Sequence, residues 1–181
     1  SYNVISAQGF IEYIAPKQMM DFFEVCYRAL RPGGKIVIGN RNRLFNAVSM
    51  NSYTDLEMAL GTHTALAQEA MAYHMSTSQA DAFEKIKAFP TAYPHPRTHP
   101  NTGVEVDTRY QYTPGDLTHR LSVAGFKGDT IYALNFHGYP IAIKEENLGM
   151  HTKLAKLMEK AASKDQRIVP YCTTNVISAV K

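Results

Sequence analysis

The fold is decided by two stretches of sequence, Tyr2-Asn3-Val4-Ile5-Ser6 and Leu30-Arg31-Pro32-Gly33-Gly34-Lys35-Ile36-Val37-Ile38. Each contains a short apolar run, which predicts a buried strand. Pro16 and the apolar residues that follow it at spacings of three and four predict an amphipathic helix between the two strands. Two parallel neighbours in one sheet need such a crossover, which is right-handed in nearly all proteins. The sequence therefore predicts an α/β fold whose sheet is mostly parallel, partly doubly wound and Rossmann-like.

The composition argues against several classes of protein. The chain has 181 residues, of which 45% are hydrophobic, so one core can form without disulfides or a structural metal. Its formal charge of +3 is scattered along the chain and does not indicate nucleic-acid binding. The two cysteines, Cys26 and Cys172, are expected to be reduced core thiols. No apolar run approaches the roughly 20 residues that span a bilayer, and the first residues lack a secretion signal, so we expect a cytoplasmic protein.

The chain divides into three regions. We expect a strand-helix-strand core at 1–46, a helical and proline-rich insertion at 47–109, and C-terminal core helices and strands at 110–181. In the insertion, Thr54 has capping-box spacing with Glu57, and two further helices are expected. The insertion is interpreted as a lid over a ligand or as a bracing strap.

Five further elements are predicted from local patterns. They are a strand over Val104–Tyr112, a helix capped by Thr113, a strand over Thr130–Asn135, a helix over Leu148–Ala162 and a strand over Thr173–Val180.

Several of these stretches resemble class I S-adenosylmethionine-dependent methyltransferases. The run from Tyr2 to Tyr13, followed by a helix and by Leu30-Arg31-Pro32-Gly33-Gly34, resembles the family's fourth strand, its following helix and its fifth strand. The segments Tyr112-Thr113-Pro114 and Ala124-Gly125-Phe126 are similar to the family's last helix and its exit. The resemblance implies S-adenosylmethionine as the cofactor.

The chain also departs from the family's pattern. Asn3 and Tyr13 stand where the family has an aspartate and a histidine, and no Gly-x-Gly-x-Gly turn is present. Gly33, Gly34 and Gly39 have a different spacing and lie around the fifth strand. The resemblance therefore implies the C-terminal portion of the fold, with a sheet completed by a longer polypeptide or by another chain.

Cofactor contacts are expected where the first strand ends. At the carboxyl ends of parallel strands, Ser6, Ala7, Gln8 and Phe10 would border the cofactor. The alternative is that they solvate or cap the loop.

Acceptor contacts are expected after the second strand and in the insertion. Asn40-Arg41-Asn42-Arg43-Leu44 resembles the family's asparagine-bearing loop, so Arg41, Asn42 and Arg43 would face the acceptor. Two arginines there would bind a phosphate or carboxylate, as in a nucleotide-linked sugar, although surface arginines often have no ligand. Tyr73 would line an apolar acceptor pocket, although its helical spacing equally fits a core residue.

His137 is the candidate general base, because the reference pKa of histidine lies near neutrality. The alternative is a structural or substrate-contacting histidine. Tyr139 follows in the same segment and is expected to contact the substrate. His95 and His99 have a metal-like spacing, but the prolines around them argue against a helix, and no metal site is predicted.

The sequence therefore leaves two hypotheses. The first is methyl transfer to a small molecule such as a sugar or nucleotide-sugar, and the second is a noncatalytic fragment or pseudoenzyme that serves as a structural or partner-binding module.

Overall fold

A computed structural model of the chain describes residues 1–94, 105, 109–162 and 164–181. Among these residues the strands are β1 (Tyr2–Gln8), β2 (Leu30–Arg41), β3 (Lys127–Phe136) and β4 (Cys172–Val180). The α-helices are α1 (Pro16–Ala29), α2 (Ser52–Ala59), α3 (His63–His74), α4 (Gln79–Lys85), α5 (Pro114–Val123), α6 (Ile141–Glu146) and α7 (Leu148–Ala162). Short 3-10 helices span Ile11–Tyr13, Arg43–Ala47 and Gln166–Tyr171.

The four strands form one sheet in the order β1-β2-β4-β3. β1 and β2 are parallel, with Ile5 opposite Ile36, as the sequence predicts. β4 is antiparallel to both β2 and β3, so β1, β2 and β3 run in one direction and β4 runs in the other. The prediction of a mostly parallel Rossmann-like sheet is confirmed in this sense.

The two apolar runs that predict buried strands differ in burial. In β2, Ile36 and Ile38 are completely buried. In β1, Tyr2 and Val4 are 65% and 56% exposed, so the prediction of a buried strand is wrong for the first half of β1. The physical reason is that β1 is an edge strand of the sheet that the described residues form.

Helix α1 forms as its sequence predicts. Pro16 occupies the first turn, and the Gln18 side chain accepts a hydrogen bond from the Ala15 N–H at 2.9 Å. Met19, Phe23 and Cys26 lie on its buried face. Full burial of a side chain such as that of Phe23 stabilises a fold by about 1.5 to 3 kcal/mol.

The first residues of α5 and α2 test the two capping predictions. The predicted cap of α5 is confirmed, because the Thr113 hydroxyl accepts a hydrogen bond from the Asp116 N–H at 3.1 Å. The predicted start of α2 at Thr54 is wrong. Asn51 caps this helix by accepting from the Tyr53 N–H at 3.0 Å, and Thr54 occupies the third helical position. Asparagine is as good a cap as serine or threonine, and here it comes first along the chain.

The predicted strand over Val104–Tyr112 falls largely outside the described residues. Within them, Tyr110 and Tyr112 form only single bridges, to Pro94 and Asn42 respectively. His95 and His99 also lie outside the described residues.

The insertion shares the hydrophobic core of the sheet. Leu66, Ala70, Tyr73 and Ala82, all from α3 and α4, belong to the same buried cluster as Ile38. The described helices of the insertion are therefore packed as an integral layer of the fold.

Candidate functional site

A cavity of about 510 Å³, lined mostly by polar residue types, lies at the carboxyl ends of β1 and β2. The beginning of β4 completes its floor, because Arg41 pairs with Thr174 in the sheet. We call it the carboxyl-edge cavity, and it is lined by Gln8, Gly9, Glu12, Tyr13, Gly39, Asn40, Arg41, Arg109, Thr173 and Thr174. In open α/β sheets this edge is where ligands bind.

The side chain of Gln8 lies over the neighbouring strand β2 and lines the cavity. Its amide nitrogen donates hydrogen bonds to the Ser6 hydroxyl at 3.1 Å and to the Val37 carbonyl at 3.4 Å. A Cβ atom on Gly39 would overlap the Gln8 side chain, so a glycine is required for this arrangement. Ser6 and Gln8 are exposed, whereas Ala7 is buried in the core.

Phe10 follows Gln8 in the loop and is 43% exposed. Its ring packs edge-on against Phe22 of α1 at a centroid distance of 5.2 Å. Of the four expected cofactor contacts, the structure thus places the side chains of Ser6, Gln8 and Phe10 at the surface.

An ion pair closes one side of the cavity. The Arg109 Nε atom lies 3.4 Å from a Glu12 carboxylate oxygen, and both side chains are largely buried. The Arg109 Nη1 atom also donates to the Tyr53 hydroxyl at 3.4 Å, and Tyr53 belongs to α2 of the insertion. The opposite charges of Arg109 and Glu12 therefore balance each other within the wall.

Arg41 and Arg43 are separated by the structure. Arg43 is 1% exposed and forms two hydrogen bonds of 3.0 Å with the Glu57 carboxylate, and its other nitrogen donates to the Thr91 carbonyl at 2.9 Å. Burial acts to raise the pKa of Glu57, but hydrogen bonds from Arg43, Thr62 and Asn46 outweigh it and hold that pKa below its usual range. Arg43 therefore stabilises the insertion and does not face the cavity.

Asn42 is also buried, and its side chain is fully engaged. Its amide nitrogen donates to the carbonyls of Val169 at 2.8 Å and Cys172 at 2.9 Å, and its oxygen accepts from the Leu44 N–H at 3.1 Å. The structure thus gives Asn42 the capping role that the sequence left open, and it does not line the cavity.

His137 lies apart from the carboxyl-edge cavity. Its ring packs against Phe45 at 5.0 Å and against His151 of α7 at 4.9 Å, and it is 9% exposed. Burial, with smaller contributions from Lys144 and His151, lowers the pKa of His137 to about 4. These surroundings favour the structural alternative over the general base.

Tyr73 and Tyr139, which were both expected to contact the substrate, differ in their burial. Tyr73 is completely buried and packs against Phe83 at a centroid distance of 6.4 Å, which matches the core alternative. Tyr139 is 37% exposed in the loop after β3 and does not line the cavity.

Sequence reasoning missed most of the residues that complete the cavity. Asn40, Thr173 and Thr174 come from strand ends, where the register of β4 against β2 brings them together. Arg109 lies in the insertion, and its partner Glu12 is 97 positions away along the chain. The only sequence signal was Glu12, which stands at the family's glutamate position.

A second cavity of about 590 Å³ lies between α4, α5 and β3. Its residues on β3, Gly128 to Ile131, lie in the amino-terminal half of that strand, and it shares no lining residue with the carboxyl-edge cavity. It is lined mainly by apolar atoms and lies away from the carboxyl edge. We do not place the candidate site there.

Comparison with known proteins bears on the fold. No family model matches the sequence, and no curated protein matches it. Among solved structures, a S-adenosylmethionine-dependent methyltransferase from Mesorhizobium loti is 12% identical with a TM-score of 0.51, covering 100% of this chain and 62% of its own. A second, from Methanosarcina mazei, is 12% identical with a TM-score of 0.48, covering 100% of this chain and 59% of its own.

The chain shares the fold of the Mesorhizobium loti methyltransferase structure. The likeness to that structure shows it, and the α/β sheet of four strands agrees with it. The chain spans about three fifths of the length of these methyltransferase structures. Within the described residues, no helix is long and apolar enough to cross a bilayer, and no three metal-ligating side chains cluster.

Proposed function

We propose that the chain is part of an enzyme that transfers a methyl group from S-adenosylmethionine to a small molecule in the carboxyl-edge cavity. The observation that carries the proposal is the position of this cavity at the carboxyl ends of β1 and β2 in a methyltransferase fold. The cofactor would supply an electrophilic methyl group on its sulfonium. The chain's own residues would hold the acceptor in line with that methyl group and exclude water.

We propose that Ser6, Gln8 and Phe10 form one wall of a cofactor site, which we call the adenosine wall. The exposed polar side chains of Ser6 and Gln8 and the exposed ring of Phe10 fit the hydroxyl groups and the flat base of an adenosine. Beyond them the outer edge of β1 is unpaired among the described residues. We propose that the second wall comes from a strand that pairs with β1, either in a longer polypeptide or in another chain.

The acceptor that we propose is a sugar or nucleotide-sugar. Asn40, Thr173 and Thr174 line the cavity, and amide and hydroxyl side chains can exchange hydrogen bonds with a polyhydroxyl ligand. The cavity volume of about 510 Å³ lies within the usual range for small-molecule sites. The buried thiols Cys26 and Cys172 support a location in the reducing cytoplasm.

A second candidate is a noncatalytic module that binds a partner through β1. Tyr2 and Val4 expose apolar side chains beside backbone groups of β1 that no described strand pairs with, and such an edge is a template for strand addition. His137 lies apart from the cavity, which leaves the proposed chemistry without the expected base.

Calorimetric titration of the natural full-length protein with S-adenosylhomocysteine separates the two candidates. The enzyme predicts saturable binding that Gln8→Ala weakens about 5- to 10-fold, because the variant removes side-chain contacts at the adenosine wall. Gln68→Ala, at an exposed glutamine of α3, is the matched control and should leave the affinity unchanged. An absence of binding to the full-length protein would favour the noncatalytic module.

A further inference from the structure

Among the described residues, Arg41 is the cation of the carboxyl-edge cavity that lacks an anionic partner. It is the last residue of β2, is half-buried, and its guanidinium carbon lies 5.4 Å from the ring centroid of Tyr53. The salt bridges among the described residues do not include Arg41. The ring of Tyr53 offers a cation-π contact, which replaces only part of the lost hydration.

The neighbouring charges do not neutralise this cation. Glu12 is the acidic residue of the cavity wall, and it already pairs with Arg109. Burial lowers the pKa of the Arg41 guanidinium, and the charge of Arg109 adds to this effect, against the opposing influence of Tyr53 and Glu12. Since an arginine stays protonated in a protein, the described residues leave the cavity with one positive charge that is partly desolvated and forms no ion pair.

The groups beside Arg41 suit an anionic ligand. Thr174 pairs with Arg41 in the sheet, and both Thr173 and Thr174 line the same cavity. A guanidinium fork binds a carboxylate or phosphate through two parallel hydrogen bonds, and hydroxyl donors can complete the shell of oxygen contacts. Arg43 cannot compete for such a ligand, because Glu57 occupies its fork.

We propose that Arg41 binds a carboxylate or phosphate group of the acceptor. The proposal rests on the proposed function for the statement that the bound small molecule is a methyl acceptor. The adenosine wall of Ser6, Gln8 and Phe10 belongs to β1 and its loop, whereas Arg41 is flanked by Thr174 of β4. The anion therefore lies on the β4 side of the cavity, where the acceptor is expected.

Inorganic phosphate is the probe for the anion site. The full-length protein is titrated with phosphate at constant ionic strength, with backbone-amide NMR shifts near Thr173 and Thr174 as the readout. We expect saturable binding that Arg41→Gln weakens about 10-fold or more, with Arg41→Lys between the two, because lysine keeps the charge but loses the fork. Arg28→Gln, at an exposed arginine of α1, removes the same charge elsewhere and should change the affinity less than about 2-fold. Equal affinities of the wild type and Arg41→Gln would overturn the proposal, as would an absence of saturable binding.

Titration with S-adenosylhomocysteine shows which molecule would bring a carboxylate to Arg41, the acceptor or the cofactor. If the acceptor carries the anion, Arg41→Gln leaves the affinity of the full-length protein for S-adenosylhomocysteine within about 2-fold of the wild type. A loss of about 10-fold or more would assign Arg41 to the cofactor's own carboxylate and overturn the acceptor assignment. A wild-type protein that binds phosphate through Arg41 but does not bind S-adenosylhomocysteine would count against the proposed function and leave the anion site standing.

Discussion

Arg41 and Arg43 are two positions apart, yet they belong to regions with opposite electrostatics. Arg43 lies under the insertion, where Glu57 pairs with it and Asn46 and Thr62 complete the hydrogen bonds of the carboxylate. Arg41 lies at the carboxyl-edge cavity, where no described carboxylate pairs with it. A satisfied charge network holds an interface together, whereas an unsatisfied charge at a cavity is a feature of a binding site.

The largest expected effect comes from breaking the buried pair. Arg43→Ala leaves the Glu57 carboxylate buried without its cation, which should lower the free energy of unfolding by about 3 to 5 kcal/mol. Urea denaturation followed by circular dichroism measures the loss. Lys17→Ala, in the exposed pair between Lys17 and Asp21, should leave the free energy of unfolding unchanged within error. A loss as small as that of the control would show that the network under the insertion does not stabilise the fold.

A second carboxylate of the insertion, that of Glu69, sharpens the comparison, because it forms no salt bridge with a described residue. Glu69 accepts a hydrogen bond from the Gly115 N–H at 2.9 Å, and burial raises its pKa from 4.5 to about 7. The folded state therefore holds a proton on Glu69 that the unfolded state releases between these two values, so the contribution of Glu69 to the free energy of unfolding falls as the pH rises from about 4.5 to about 7. Glu69→Gln should remove this fall and exceed the wild type at pH 8 by on the order of 3 kcal/mol.

Urea denaturation at pH 5 and pH 8 tests the Glu69 prediction. Glu84→Gln, at an exposed glutamate of α4, is the control and should keep the pH dependence of the wild type. The prediction fails if Glu69→Gln loses as much stability between the two pH values as the wild type does.

A smaller effect is expected at the floor of the cavity. Gly39→Ala would displace the flexible Gln8 side chain and break its hydrogen bonds to Ser6 and Val37, at a cost of about 1 kcal/mol. Gly149→Ala is the control, because a Cβ there meets open space in a helix and should stabilise the protein by about 0.5 kcal/mol. Thermal denaturation of both variants measures the difference, and equal melting temperatures would contradict the close contact between Gln8 and Gly39.

The smallest effect on stability is expected at Arg41. Arg41→Gln removes a charge that has no ion-pair partner among the described residues, so the free energy of unfolding should change by less than about 0.5 kcal/mol. A loss comparable to that of Arg43→Ala, measured by urea denaturation, would mean that Arg41 is as structural as Arg43.

The features of the fold that were predicted correctly depend on residues that are close together in the sequence. The cap of α5 depends on Thr113 and Asp116, three positions apart, and the parallel pairing of β1 and β2 follows from two apolar runs and the helix between them. The free edge of β1 depends on which strands surround it, and the apolar run of Val4 and Ile5 does not contain that information.

The site was harder to predict because its contacts are distant in sequence. The role of Arg43 was missed because its partner Glu57 lies on another helix, and the pair formed by Glu12 and Arg109 joins the core to the insertion. Arg41 and Arg43 look equivalent along the chain, and only the fold decides which of them is occupied.

The order of the strands also constrains when the protein can fold during synthesis. β4 is the last described strand along the chain, but it lies between β2 and β3 and forms a ladder with each of them. Neither ladder can form until residues 172–180 have left the ribosome, so the nascent chain must hold β2 and β3 apart and uncovered until then. Ribosome-bound chains that stop before Cys172 should accordingly be far more sensitive to protease than chains that extend past Lys181.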